Sequence, residues 1–214
     1  MLGKDIHAEK EVSLKTALLI LGVTLLIVIT LGIVLGYKFI WYQVNQTTLV
    51  DQRLRAAREA VRETPRDPFK IAAVGDQYLR KGDLNRALIE FKKAYALEPN
   101  NPALKFNLGV LYKEKRDYKK AISLLSDVVQ DNPRHYLGHV YIGVVYKEKG
   151  NHGQAVQAFE KALAINPGAA DVYLLLGETY EQMGKKKEAL ESISKALRFV
   201  PGYKEAQAAK KRLE

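Results

Sequence analysis

The chain has no cysteine among its 214 residues. That absence removes disulfides, a thiol nucleophile, zinc knuckles and covalent haem attachment together, and it leaves the redox compartment undecided. Histidine is scarce too: there are four, and only His135 and His139 stand at a helix-compatible spacing. Without an HExxH pattern or further clustered ligands, that pair makes no metal centre. Neither a glycine-rich phosphate loop nor a GxSxG serine is present, so the sequence offers no catalytic apparatus, no cofactor site and no small-molecule substrate site. Acidic residues number 24 against 34 basic ones, for a formal charge of +10. Between Lys15 and Lys38, 22 residues carry no charge at all. Proline is limited to seven residues, and their placement is the most informative feature of the chain.

Pro65, Pro99, Pro133, Pro167 and Pro201 stand 34 residues apart. The same step relates Gly75, Gly109, Gly143 and Gly177, then Tyr78, Tyr112, Tyr146 and Tyr180, then Ala87, Ala121, Ala155 and Ala189. Counted from the start of each unit, an apolar residue and Gly fall at the seventh and eighth positions, Tyr at the eleventh, Ala at the twentieth and Pro at the thirty-second. A 34-residue unit with this signature resembles the tetratricopeptide repeat, a helix–turn–helix module. The match runs from Pro68 to about Tyr203 in four in-phase copies.

The signature has a physical logic. Gly at the eighth position and Ala at the twentieth are small where the two helices of a unit cross, and Tyr fills the space beside the crossing. Pro ends the second helix because it lacks an amide hydrogen and disfavours helix in the preceding residue. Pro68 and Pro102 suit the first turn of the following helix. The copies are unequal: Phe91 and Phe159 fill the twenty-fourth position where Leu125 and Ile193 stand in the others, and Arg116 replaces the turn glycine kept as Gly82, Gly150 and Gly184. The second copy is thus the most divergent.

Stacked repeats need ends, because each unit covers its neighbour's apolar face. Tyr203 to Glu214 reads as a polar capping helix with Ala206, Ala209 and Leu213 on one side. Val50 to Glu63 reads as the second helix of a half-repeat, with Ala60 at the small position. The resemblance therefore implies an all-α chain: one transmembrane helix followed by a right-handed solenoid of a half-repeat, four repeats and a cap. The expected divisions are a tail (1–15), a membrane anchor (16–40), a linker and half-repeat helix (41–66), four repeats (67–203) and the capping helix (204–214).

The uncharged stretch would span about 33 Å as a helix, enough to cross a bilayer. A cleaved signal peptide is the competing reading. The apolar core is too long for one, and no small-x-small site precedes the aromatic cluster Tyr37, Phe39, Trp41 and Tyr42, which suits an interfacial belt with Lys38 snorkelling. Lys4, Lys10 and Lys15 on one side against Lys38, Arg53 and Arg55 on the other lean towards a cytoplasmic N-terminus, which puts the repeats on the extracytoplasmic side. Gly32 and Gly36 form a GxxxG at which a second membrane helix could pack, although glycine is also common in membrane helices generally. Asn45-Gln46-Thr47 is a sequon, a triplet frequent by chance.

Many basic residues fall at the turns within the units: Arg80 and Lys81, then Lys113, Lys115, Arg116, Lys119 and Lys120, then Lys147 and Lys149, and Lys185 to Lys187. Aligned along a solenoid they form either a basic edge for anionic headgroups or an acidic protein, or merely solvated turns in which Glu114, Asp117 and Glu148 are interspersed. No recognition motif accompanies the charge, and nucleic acid is not an expected partner.

In the family, the first helix of each unit lines a concave groove. Its implied floor and margins here are Phe106, Asn107, Val110, Lys113, Val140, Tyr141, Val144, Lys147, Leu174 and Glu178. The family's carboxylate clamp needs Lys, Arg and Asn where this chain mostly has Ala, Phe, Val and Leu, so capture of chaperone C-termini is disfavoured. An apolar trough suits an amphipathic helix or an extended apolar segment; contacts between repeats, or the chain's own linker or tail, are the competing occupants. The expected function is a membrane-anchored protein-interaction module: a scaffold, assembly factor or ancillary subunit of a membrane complex, touching the bilayer through 16–40. A holdase for clients emerging at the membrane is the alternative. An enzyme is not expected.

Overall fold

The computed structural model describes the backbone of residues 14–214 and the side chains of 19–40 and 49–214. Lys4, Lys10 and the side chains of Lys15, Trp41, Tyr42 and Asn45 lie outside the described residues. Ten helices and no strand occur among the described residues: α1 (Leu14–Glu63), α2 (Pro68–Arg80), α3 (Leu84–Leu97), α4 (Pro102–Glu114), α5 (Tyr118–Asp131), α6 (Tyr136–Glu148), α7 (His152–Ile165), α8 (Ala170–Gln182), α9 (Lys186–Phe199) and α10 (Lys204–Leu213). The chain divides into two compact units, Met1–Gln52 and Arg53–Glu214.

Within the first unit, Leu19–Ile40 is a 22-residue apolar helical span of mean hydropathy 2.8, and none of it is buried. Its two threonines expose no unsatisfied hydroxyl. Thr24 Oγ1 donates to the Leu21 carbonyl, and Thr30 Oγ1 donates to those of Leu26 and Ile27, each at 2.9 Å. Such internal satisfaction is what a hydrocarbon environment demands.

The second unit is built of helix pairs, α2/α3, α4/α5, α6/α7 and α8/α9, each of 13 and 14 residues, closed by α10. Pro68 and Pro102 occupy the first turns of α2 and α4. Each second helix stops two residues before its proline. Glu98, Asn132, Asn166 and Val200 take φ between −128° and −138° with ψ between 75° and 94°, the extended bias that a following proline imposes. Side-chain caps begin the earlier helices: Asp67 accepts from the amides of Phe69 and Lys70, Asp83 from Arg86, Asn101 from Ala103, Asp117 from Lys120 and His135 from Gly138.

Where the paired helices cross, Ala87, Ala121, Ala155 and Ala189 are wholly buried, with Phe91, Leu125, Phe159 and Ile193 beside them. The facing glycines are required there. A Cβ on Gly143 would lie 2.5 Å from the Phe159 ring, and one on Gly177 2.6 Å from Ile193 Cγ1. At the upstream end Leu54 is buried, and Ala57 and Val61 pack against the core that contains Ile71 and Val74. Arg58 donates to the Tyr78 hydroxyl, so this last part of α1 runs antiparallel to α2. At the downstream end α10 buries Ala206 and Ala209 and exposes Lys204, Lys211 and Arg212.

The turns inside the pairs reverse through left-handed residues: Gly82, Gly150 and Gly184 at φ 72° to 84°, and Arg116 at 59°. The Arg116 amide bonds the Lys113 carbonyl, and that of Asp117 reaches Tyr112, a C-terminal cap that favours glycine. Arg116→Gly is therefore expected to stabilise the repeat unit by about 1 kcal/mol, read as a raised denaturation midpoint.

Candidate partner groove

The first helices, α2, α4, α6 and α8, each present one face that no second helix covers. The structure distributes the sequence-derived groove residues between that face and the seams of the stack. Phe106, Val110, Tyr141 and Val144 are half-buried, as is Asn107. Val140 and Leu174, by contrast, retain only 9% and 6% of their exposure, because Val140 belongs to a core shared with α7 and α8, and Leu174 to one shared with α9 and α10. They are consumed by contacts between repeats, so the available apolar floor is narrower than the sequence pattern implies. Phe106, at the same repeat position, stays half-buried instead. It packs edge-on to Tyr141 with centroids 5.3 Å apart and interplanar angle 88°, and also meets His135 at 5.3 Å. At the second position of their helices Phe69 and Leu137 stay 55% and 48% exposed.

The groove's charges are largely matched among themselves. Lys113 Nζ lies 2.7 Å from Glu114 Oε1 and 3.7 Å from Glu148 Oε1. Lys147 bonds Glu178, and Arg212 forms a bidentate pair with Glu181 at 2.8 and 2.6 Å. Burial works against the Lys113 ammonium, yet Glu114 and Glu148 more than offset it and hold its pKa above the ordinary value. The Arg212 hydrogen bonds hold the Glu181 carboxyl below its ordinary range. Three of these links tie one helix pair to the next element along the stack. Partly exposed pairs are worth about 0–1 kcal/mol each, so they fix the groove's orientation and charge more than its stability. The sequence pattern offers Lys113, Lys147, Glu178 and Glu181 as separate partner contacts and does not single out Glu148 or Arg212 for the groove. The available signal is a Lys or Glu at the twelfth position with an opposite charge one repeat further on. At the groove's upstream end, burial raises the pKa of Asp76 against the opposing charge of Arg80.

His135 and His139 do not converge on a shared ligand position. His135 Nδ1 accepts from the Gly138 amide at 2.9 Å, and His139, buried, bonds the Pro133 carbonyl through Nε2 at 2.9 Å. Each ring thus serves the α5–α6 connection. In the apolar span, a Cβ added to Gly32 or Gly36 would meet nothing within 4 Å, so that face is open.

The tetratricopeptide repeat model matches residues 78–138 and 146–213. Among solved structures the chain is similar to MamA, at 26% identity and TM-score 0.63, covering 72% of this chain and 91% of that one. It is also similar to TTC0263, a thermophilic protein of the same repeat class from Thermus thermophilus, at 25% identity and TM-score 0.66, covering 80% and 93%. YrrB, a repeat protein with an unusual peptide-binding site, shares the fold at 23% identity and TM-score 0.64, covering 78% and 86%. No curated protein matches.

Proposed function

Because this chain belongs to the tetratricopeptide repeat family, and so to the protein–protein interaction modules, we propose that it is a membrane-held scaffold, assembly factor or ancillary subunit and not an enzyme. On this reading residues 19–40 anchor it in a bilayer, with the repeats on the extracytoplasmic side. The groove of α2, α4, α6 and α8 takes a helical or apolar segment of a membrane protein complex. The observation that carries the groove reading is the half-buried apolar floor, Phe106 edge-on to Tyr141 with Val110 and Val144 alongside, bounded by lysines that already have carboxylate partners. Such a surface rewards burial of apolar groups and offers little to a free carboxylate.

The test is purification of the full chain from its native membrane in mild detergent, with subunit stoichiometry by mass spectrometry, beside a Tyr141→Glu/Val144→Glu variant. Leu174 is unsuitable because it is buried. A charge in the middle of the groove should reduce capture of a stoichiometric partner at least about tenfold while circular dichroism stays unchanged. Unreduced capture would exclude the groove as the binding surface. A broad, substoichiometric set of clients would replace the dedicated subunit with a holdase.

A further inference from the structure

The two edges of the repeat unit carry opposite charge. The four windows around the turns inside the helix pairs, 80–86, 114–120, 148–154 and 182–188, hold eleven Lys and Arg against five Asp and Glu. The equivalent windows around the turns between pairs, 97–103, 131–137, 165–171 and 199–205, hold two against four. Four of the five acids on the basic edge are engaged: Asp83 with Arg86, Asp117 with Lys120, and Glu114 and Glu148 with Lys113. Arg80, Arg116, Lys119, Lys149 and Lys185 to Lys187 are exposed. An alignment of such cations along one side of a stack creates a field that isolated surface lysines do not.

A second observation concerns where the chain enters the unit. The last part of α1 is antiparallel to α2, with Arg58 bonded to Tyr78 two residues before the end of that helix. Leu54, one turn earlier, is buried in the same core. Residue 53 therefore enters at the basic edge, not at the acidic one. Twelve residues, 41–52, separate that entry from the apolar span along the chain. We infer that the basic edge rests on the anionic lipid headgroups of the bilayer that holds the chain. The chain supplies the tether, and the edge supplies the second, electrostatic contact. This rests on the anchor reading above.

The chain's lack of cysteine makes the test clean. Single cysteines at Gln182→Cys on the basic edge and Gly202→Cys on the other are labelled with a donor dye. The full chain is then reconstituted in nanodiscs carrying an acceptor lipid. Incorporation into discs of phosphatidylcholine alone reports the anchor by itself, so its failure would remove the anchor reading and the inference together. With the anchor inserted, exchanging about a third of the lipid for phosphatidylglycerol should raise energy transfer from position 182 at least about twofold, and from position 202 by less. The rise should vanish in about 0.5 M salt, where screening acts within about 4 Å. It should also vanish in Lys119→Glu/Lys149→Glu/Lys186→Glu, whose circular dichroism should be unchanged. Equal transfer in both lipids would overturn the inference while sparing the anchor. Equal transfer accompanied by low-salt binding of polyglutamate would assign the edge to an acidic protein instead.

Discussion

Phe159→Ala is expected to destabilise the repeat unit by about 3–5 kcal/mol, a large fraction of what a domain of this size possesses. The ring is wholly buried and packs in one cluster with Val140, Ala155, Ala162, Val172 and Leu176, residues drawn from α6, α7 and α8. Collapse into the vacated space would require three helices to move together, so most of the cavity should persist. The loss should not stay local, because stability in a solenoid is a sum of units and their interfaces. Phe159 belongs to the third of four pairs, and its removal should uncouple α8 to α10 from the rest. Urea unfolding of the full chain in detergent, followed by circular dichroism, should change from one transition to two. The reciprocal change, Gly143→Ala, should cost about 1–3 kcal/mol by overpacking, since the new Cβ would sit 2.5 Å from the ring. Gly75→Ala should cost least of the series, because the equivalent approach to Phe91 is 3.2 Å. If Phe159→Ala leaves a single transition near the wild-type midpoint, the crossing is not the source of cohesion.

The same crossing explains what the sequence could disclose. Positions whose role is internal to one helix pair recur at 34 residues with fixed chemistry: Gly143 against Phe159, Ala155 at zero exposure, Pro133 ending α5. All of these are legible because every copy solves the same local problem. Arg116 is legible as a departure, and its positive φ follows from the turn that the other three copies make with glycine. Relations between pairs are less accessible. Lys147 meets Glu178 across 31 residues, not 34, because the contact joins different positions of successive units. Its existence depends on the stacking offset, which the period alone does not specify. Val140 and Leu174 share a position with Phe106, yet they are buried while Phe106 stays half-buried. The amount of each side chain left at the surface depends on how the next element along the stack meets it, a three-dimensional quantity that the repeat period does not specify.

Leu26→Arg combined with Ile29→Arg is expected to release the chain from membranes almost completely. The span Leu19–Ile40 has mean hydropathy 2.8, and both sites are exposed aliphatic positions near its middle. An arginine at the centre of a membrane helix costs about 2.5–3.5 kcal/mol on insertion scales. Two together cost about 5–7 kcal/mol, and no Asp or Glu lies within the span to offset them. Alkaline extraction should leave the wild-type chain in the membrane pellet and move the double variant to the supernatant. An unchanged pellet fraction, under a treatment that strips electrostatically held proteins, would mean that the span still inserts with both arginines and would overturn this cost. The intact mass of the pelleted wild type then separates anchor from signal sequence. Retention of residues 1–40 is required by an anchor, whereas a mass lacking them would make the segment a leader and deny the lipid-facing edge its tether. A membrane-impermeant maleimide on Gly202→Cys in whole cells would report the side, with labelling expected if the repeats are extracytoplasmic. The open glycine face at Gly32 and Gly36 is compatible with either a lone or a paired helix, because the two arginines act through the cost of burying charge in hydrocarbon, which is the same in both.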